Sequence, residues 1–365
     1  MKKLLVASTA LVAFAAVNTA QAADPIKISV GGYMEQWVGH ATNDSDAQQN
    51  YADVLVQSDG ELYFRGSTKL DNGLTVGVNI DQYTNRGTTV AGDDVFMSIS
   101  GDSLGTVKLG ATKGAAYGLS HASPDVGIGH MDGDIGNWIS RAGNGVESNQ
   151  TVTASEGNDG NKVVYLTPNF GGVQAGMSWG LDTNNVNSGV VDIGGTNTGN
   201  DTALDAGIAY NGDFGGVAVG ADVTGQWNNN GGTTGVLVDD RKSYRGGLSV
   251  AVAGFKVAGS YVKTSNVNSV KDVNAKGYDF GVSYATGPYA VSASYMHLEQ
   301  DTAANATTDH TRDSWMVSGA YDLGAGVTFK GSVFGAEFDD ETTNAAAATT
   351  DNEGFGVVAG LKVSF

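Results

Sequence analysis

The 365-residue chain contains no cysteine, so neither a disulfide scaffold nor a thiolate metal site is open to it. Proline is nearly absent too, with four against 54 glycines. Proline interrupts strand ladders whereas glycine serves turns and crowded inner faces, so the balance favours sheet. No segment approaches the roughly 18 consecutive apolar residues that a spanning helix requires, which excludes a helical membrane protein. Basic residues are scarce: 20 Lys and Arg stand against 39 Asp and Glu, a formal charge of −19 that argues against a nucleic-acid partner. The five histidines, His40, His121, His130, His297 and His310, show no metal-ligand spacing.

The first residues carry an export signal. Lys2 and Lys3 form a basic start, residues 4–17 an apolar core, and Ala20, Gln21 and Ala22 a cleavage site. Residues 1–22 are therefore expected to be a signal peptide and 23–365 the mature protein, whose charge becomes −21 without the two lysines. Acidity of that degree suits a surface that holds divalent cations.

Beyond residue 25 the dominant pattern is strict alternation. Leu74, Val76, Val78 and Ile80 interleave with Thr75, Gly77, Asn79 and Asp81, and Phe355, Val357, Ala359, Leu361 and Val363 do the same before the final Phe365. Period two marks strands with one apolar and one polar face. The polar face holds Gly, Ser, Thr, Asp, Lys and Arg rather than the Leu, Ile and Phe of a sandwich core. A sheet that is apolar outside and wet inside suits a bilayer once it closes into a barrel. Sixteen strands can be counted. Seven short turns, at 71–73, 101–105, 168–172, 211–215, 253–254, 286–288 and 322–326, alternate with long connections near 42–53, 86–91, 113–160, 183–202, 227–240, 265–275, 300–311 and 339–351. The expectation is an all-β fold: a 16-stranded antiparallel transmembrane β-barrel with short periplasmic turns, long external loops and a constriction loop, 113–160, folded into the lumen. Strands of about ten residues, tilted, match the ~25 Å apolar band of such barrels.

Aromatic side chains supply an independent check. Trp179, Tyr244, Tyr261, Tyr278, Tyr295 and Trp315 fall at the loop ends, and Tyr165, Tyr210, Tyr284, Tyr289, Tyr321, Phe329 and Phe365 at the short-turn ends. Two girdles at the two headgroup levels follow.

The same parity sets Lys27, Arg65, Lys69, Lys108, Lys162, Arg241, Arg245, Lys256, Arg312, Lys330 and Lys362 inside, together with Glu35, Glu61, Asp81, Asp205, Asp222 and Asp279. Each base on the lipid face would cost up to about 2–4 kcal/mol, so the lumen is ionic. The connection at 113–160 is long enough to be functional. It carries Asp125, Asp132, Asp134, Glu147 and Glu156 beside Lys113 and Arg141, and apolar anchors at Tyr117, Val126, Ile128, Ile135 and Trp138. Folded inward, it would face acids toward Arg65, Arg241 and Arg245 and set up a transverse field. The expected lining is therefore Glu35, Glu61, Arg65, Lys108, Lys113, Asp125, Asp132, Asp134, Arg141, Arg241, Arg245 and Arg312. A flap on the outer surface is the alternative for this loop.

Three stretches carry a family resemblance. They are 61–66, reading Glu-Leu-Tyr-Phe-Arg-Gly, with Leu70, Asn72, Gly73 and Leu74; 103–110, reading Ser-Leu-Gly-Thr-Val-Lys-Leu-Gly; and 161–165 with Pro168, Phe170 and Gly172. With the terminal Phe365 they resemble the Gram-negative general porins, trimeric sixteen-stranded diffusion channels. Val164 stands where many relatives carry Arg, and the long loop lacks their acidic-Phe-Gly-Gly stretch. The resemblance implies an outer-membrane homotrimer that passes small hydrophilic solutes and ions, contacts lipopolysaccharide and membrane lipids, and is read at Phe365 by the barrel-insertion machinery. The acid surplus adds a mild cation preference. A substrate-selective channel with a saturable site, a barrel-housed enzyme and a plugged structural barrel are the rival readings.

Signals for other chemistry are weak. Gly176, Met177, Ser178, Trp179 and Gly180 fit a nucleophile elbow but lie inside an alternating strand. His121 and His130 could tune the channel with pH, although solvated loop histidines are the plainer reading. No cofactor is expected, apart from weak calcium or magnesium at an external cluster of Asp339, Asp340 and Glu341.

Overall fold

The computed structural model describes residues 25–45, 54–84, 92–131, 133–140, 160–180, 200–230, 239–304, 308–339 and 351–365. The proposed leader therefore lies outside the described residues. In chain order the strands are β1 (Ser29–Ala41), β2 (Asp44–Ser45), β3 (Val54–Lys69), β4 (Thr75–Tyr83), β5 (Gly92–Gly101), β6 (Gly105–Ala111), β7 (Asn161–Leu166), β8 (Val173–Gly180), β9 (Asn200–Asp213), β10 (Val217–Asn230), β11 (Arg241–Val252), β12 (Phe255–Ser265), β13 (Asn274–Thr286), β14 (Tyr289–Asp301), β15 (Asp309–Gly324), β16 (Val327–Asp339) and β17 (Asn352–Ser364). The two residues of β2 merely extend the pairing of β17. The other sixteen form one antiparallel sheet that closes because β1 pairs with both β3 and β17. Closure satisfies every edge, as a bilayer requires.

Alternation fixes which face turns outward. On β1, Val30, Met34 and Val38 are exposed while Glu35 and Trp37 are buried; on β14, Tyr289 and Val291 are exposed while Ser292 and Ser294 are buried. Trp179, Tyr244, Tyr261, Tyr278 and Trp315 are exposed at the long-connection ends, and Tyr289, Tyr321, Phe329 and Phe365 at the other. Both girdles expected from the sequence are present.

The short turns use backbone geometry that few residues tolerate. At the β11–β12 turn Ala253 and Gly254 have φ of 51° and 86°, the left-handed pair that a two-residue hairpin demands. The strands depart from a uniform ten residues. β7 has 6 and β8 has 8, whereas β3 and β15 have 16 each. On β11 to β13, β16 and β17 the ladder continues past the aromatics with Lys242, Lys263, Lys276, Glu337 and Glu353 exposed, whereas β3 exposes Val54 and Val56 at that end.

Candidate functional site

The segment that follows β6 runs along the inner wall, held by the wall's own polar residues. It begins with a single helical turn, α1 (Ala115–Leu119), whose Ala115, Ala116 and Leu119 are buried. Its free N–H groups are taken up by the barrel: Ala115 N–H donates to Ser178 Oγ (3.2 Å) and Ala116 N–H to Asp205 Oδ1 (2.9 Å). Ser178, the serine of the elbow-like pattern, is thus a buried fastener on β8.

Two more wall carboxylates continue the pattern. His121 N–H donates to Asp222 Oδ1 (2.6 Å) and Ser123 N–H to Asp279 Oδ1 (2.7 Å). The His121 ring sits between Asp222 Oδ1 (3.1 Å from Nδ1) and Asn211 Oδ1 (2.8 Å from Nε2). Arg245 closes the cluster, with Nη1 on Asp222 Oδ2 at 2.7 Å and Nη2 on the His121 carbonyl. Gly247 leaves the space that the His121 carbonyl fills.

Further along, Val126 N–H reaches Ser292 Oγ (3.1 Å), and Gly127 presses onto the Ser318 and Ser332 hydroxyls so closely that a Cβ would not fit. His130 is fully buried, with Nδ1 2.7 Å from Ser294 Oγ and Nε2 2.9 Å from Ser314 Oγ. Burial, reinforced by nearby Arg312, drives its imidazole down from 6.5 to about 3, so it serves as a neutral bridge between two hydroxyls. Neither His121 nor His130 is a solvated loop histidine.

Apolar anchors then take over. Ile128, Ile135, Trp138 and Ile139 form one core with Trp37, Met316, Phe334, Phe338 and Val358 of the wall, Trp138 meeting Phe334 edge-on at 6.5 Å. Each such buried side chain contributes roughly 1.5–3 kcal/mol. The far end is tied by Ser140 N–H to Asn43 Oδ1 (2.8 Å) and by Asn352 Nδ2 to the Ser140 carbonyl (2.5 Å). The described part of the connection, residues 113–131 and 133–140, is therefore a lining of the interior rather than an outer flap.

Between it and the wall of β1, β3, β16 and β17 lies a cavity of about 420 Å³ whose lining includes Tyr33, Glu35, Asp59, Asp125, Asp134, Lys330 and Lys362. Asp125 turns its carboxylate back on its own loop, accepting the N–H groups of Gly127, Gly129 and His130 at 2.6–2.8 Å. Glu35 is 2.8 Å from Lys362 and 3.3 Å from Lys330. Tyr33 Oη donates to Asp59 Oδ2 (2.8 Å) and contacts Glu61 Oε1 at 3.4 Å. The bases lie over rings: Lys362 over Tyr33 (4.0 Å), Arg65 over Tyr63 (3.9 Å), Lys108 over Phe96 (4.7 Å) and Lys113 over Tyr117 (4.9 Å). Arg65 also pairs with Asp81, its Nε 3.1 Å from Oδ1, and keeps half its side chain exposed.

Three expected lining residues are elsewhere. Arg245 is wholly enclosed in its ion pair, Arg312 is fully buried beside the Phe338 ring (5.1 Å), and Arg241 is buried with Nη1 on Gln226 Oε1 at 2.9 Å. The docked loop covers the Arg245 stretch of wall, which parity alone does not reveal. Lys330 and Lys362 take the places facing the loop acids. Tyr33 and Asp59 were missed as lining residues, although each shares the inner register of Glu35 or Glu61. Asp132 and Arg141 lie outside the described residues, as do Asp340 and Glu341. Asp339 is exposed at the outer end of β16, with Thr311 Oγ1 3.4 Å away. Among the described residues no three His, Asp or Glu side chains are grouped to hold a metal ion.

A closed barrel, apolar outside and ionic within, with a long segment docked along its inner wall, is the build of an outer-membrane diffusion channel. Residues 7–343 match the family model described as Gram-negative porin, and the chain belongs to that family. Among solved structures it is similar to an anion-selective porin from Comamonas acidovorans (18% identity over 93% of this chain and 100% of that one, TM-score 0.64). It is similar also to Salmonella typhi OmpF in complex with daunomycin (14%, 94% and 100%, 0.65) and to the trimer form of OmpT from Vibrio cholerae (11%, 94% and 100%, 0.63). No curated protein matches it. The outer membrane is accordingly its location.

Proposed function

We propose that the channel is a passive, mildly cation-preferring pore for small hydrophilic solutes and ions, narrowed where the docked segment faces β1, β3, β16 and β17. The observation that carries this is the cavity between them, where Glu35, Asp59, Asp125 and Asp134 outnumber Lys330 and Lys362. Glu61, Arg65, Lys108 and Lys113, outside that cavity's own lining, are proposed to continue the ionic wall, with aromatic rings beside the three bases. The formal charge, −19 over the whole chain and −21 once the two lysines of the proposed leader are removed, acts in the same direction at longer range. No turnover is involved, and the one serine in an elbow-like sequence is committed to holding the loop.

Three copies are proposed to assemble, supported by the resemblance of this barrel to a porin solved in a trimer form. Contact with lipopolysaccharide, delivery by the insertion machinery through Phe365, a cleaved leader over 1–22 and weak divalent-cation binding near Asp339 complete the proposal. Single-channel recording in planar bilayers tests its core. Small neutral polymers should lower the conductance and large ones leave it unchanged, with reversal potentials in a salt gradient reporting cations. Anion preference would overturn the selectivity, and the absence of conductance would overturn the open pore. A conductance that saturates and is blocked by one solute would favour the substrate-selective alternative.

A further inference from the structure

Above the aromatic girdle, the outward face of three adjacent strands gathers positive charge. Lys242 on β11, Lys263 on β12 and Lys276 on β13 are all exposed at the long-connection ends, and each has a tyrosine two residues nearer the apolar band: Tyr244, Tyr261 and Tyr278. The ladder sets Lys263 directly opposite Lys276, and Tyr244 opposite Lys263, which makes Lys242 the diagonal neighbour. Like charges so placed repel and weaken a sheet. Glu299 on β14 relieves Lys276 through an ion pair. Among the described residues, Lys242 and Lys263 have no acidic partner, and the connection at 231–238 contains no acid that could supply one.

Two adjoining ammonium groups at the headgroup level, neither in an ion pair among the described residues although Asp239 and Asp240 precede β11, form a receptor for an external anion. The surface directly below narrows its nature: Leu248, Val257 and Phe280 are 56%, 59% and 58% exposed and continue the same three strands into the apolar band. We propose that this patch binds the phosphate of an outer-leaflet lipid, with Lys242 and Lys263 on the phosphate, the tyrosines against the headgroup, and the acyl chains along the stripe beneath. A free phosphate ion would gain nothing from that stripe, whereas a phosphorylated amphiphile matches both halves. The inference names the site of the lipid contact proposed above and is independent of ion conduction.

Trp227 gives the test its reporter, because its Nε1 donates to Tyr244 Oη at 3.0 Å and it meets that ring edge-on at 5.7 Å. Full-length protein carrying Trp179→Phe and Trp315→Phe is reconstituted in phosphatidylcholine vesicles, leaving Trp227 beside the two buried indoles of Trp37 and Trp138. A small fraction of phosphatidic acid or of phosphatidylcholine with brominated chains is then added as quencher. Phosphatidic acid should quench Trp227 far more effectively. Lys242→Gln with Lys263→Gln should cut its relative association roughly twenty-five-fold, about fivefold per lysine at a charged lipid surface. Lys271→Gln, at the same end but off the patch, should leave the preference intact. Equal quenching by both lipids in the parent, or an undiminished preference in the double variant, overturns the site. Displacement of the lipid by inorganic phosphate alone overturns the lipid as its occupant. Conductance of the same preparations reports the pore separately, so failure of either reading is recognisable.

Discussion

If Arg245 fastens the inner segment rather than lining the pore, changing its partner must loosen the segment. Asp222→Asn leaves a guanidinium whose side chain is 0% exposed facing a neutral amide, while His121 keeps only a weaker acceptor. Breaking a buried ion pair from one side costs roughly 3–5 kcal/mol, because the remaining charge stays desolvated. Most of this penalty is avoided if the segment lifts and lets Arg245 reach water, so the undocked population should rise by roughly a hundredfold to a thousandfold. Replacing both partners, as in Asp222→Leu with Arg245→Leu, removes the stranded charge and should recover much of the loss. Hydrogen exchange at the His121 and Ser123 amides measures docking directly, and single-channel closures report it functionally. The reasoning is refuted if Arg245→Leu shifts the reversal potential as strongly as removal of an exposed lumenal charge while exchange at His121 is unchanged.

Asp134→Asn, at the cavity rather than behind the segment, should reduce cation preference, seen as a reversal potential moved toward zero with docking intact. Acid should weaken docking through His130. Its buried imidazole titrates near 3 against 6.5 when released, so its contribution is complete above pH 6.5 and is lost by roughly 1.4 kcal/mol per unit as pH falls toward 3. Exchange at the amides around 126–131 should therefore quicken as pH falls through that window, after correction for intrinsic rates, and His130→Gln should remove part of the dependence. Ala253→Asn replaces a left-handed alanine by a residue suited to that turn and should raise stability by roughly 0.5–1 kcal/mol, read from urea unfolding.

The wall was legible because period two is a geometric property of a strand: once Val357 faces lipid, Val358 cannot. Strand number followed from turns such as Asn72-Gly73, whose chemistry is local. The ends of the tall strands were not legible, since Asn228 and Asp309 read as loop residues although the ladder continues through them. The interior was legible only in part. Inner parity treats Lys330 and Arg245 alike, yet one faces the cavity and the other is sealed beneath a segment more than a hundred residues earlier in the chain. Asp125 illustrates the same limit from the other side, because its acid was evident but its commitment to three N–H groups of its own loop was not.

The absence of native cysteine makes one measurement decisive for the central claim, that water runs through the barrel past the docked segment while the apolar face meets lipid. Single cysteines at Asp134 and Val291 are exposed to a membrane-impermeant charged thiol reagent during single-channel recording. The account predicts a stepwise change in conductance at 134 and no reaction at 291. Modification at 291 with silence at 134 would contradict it.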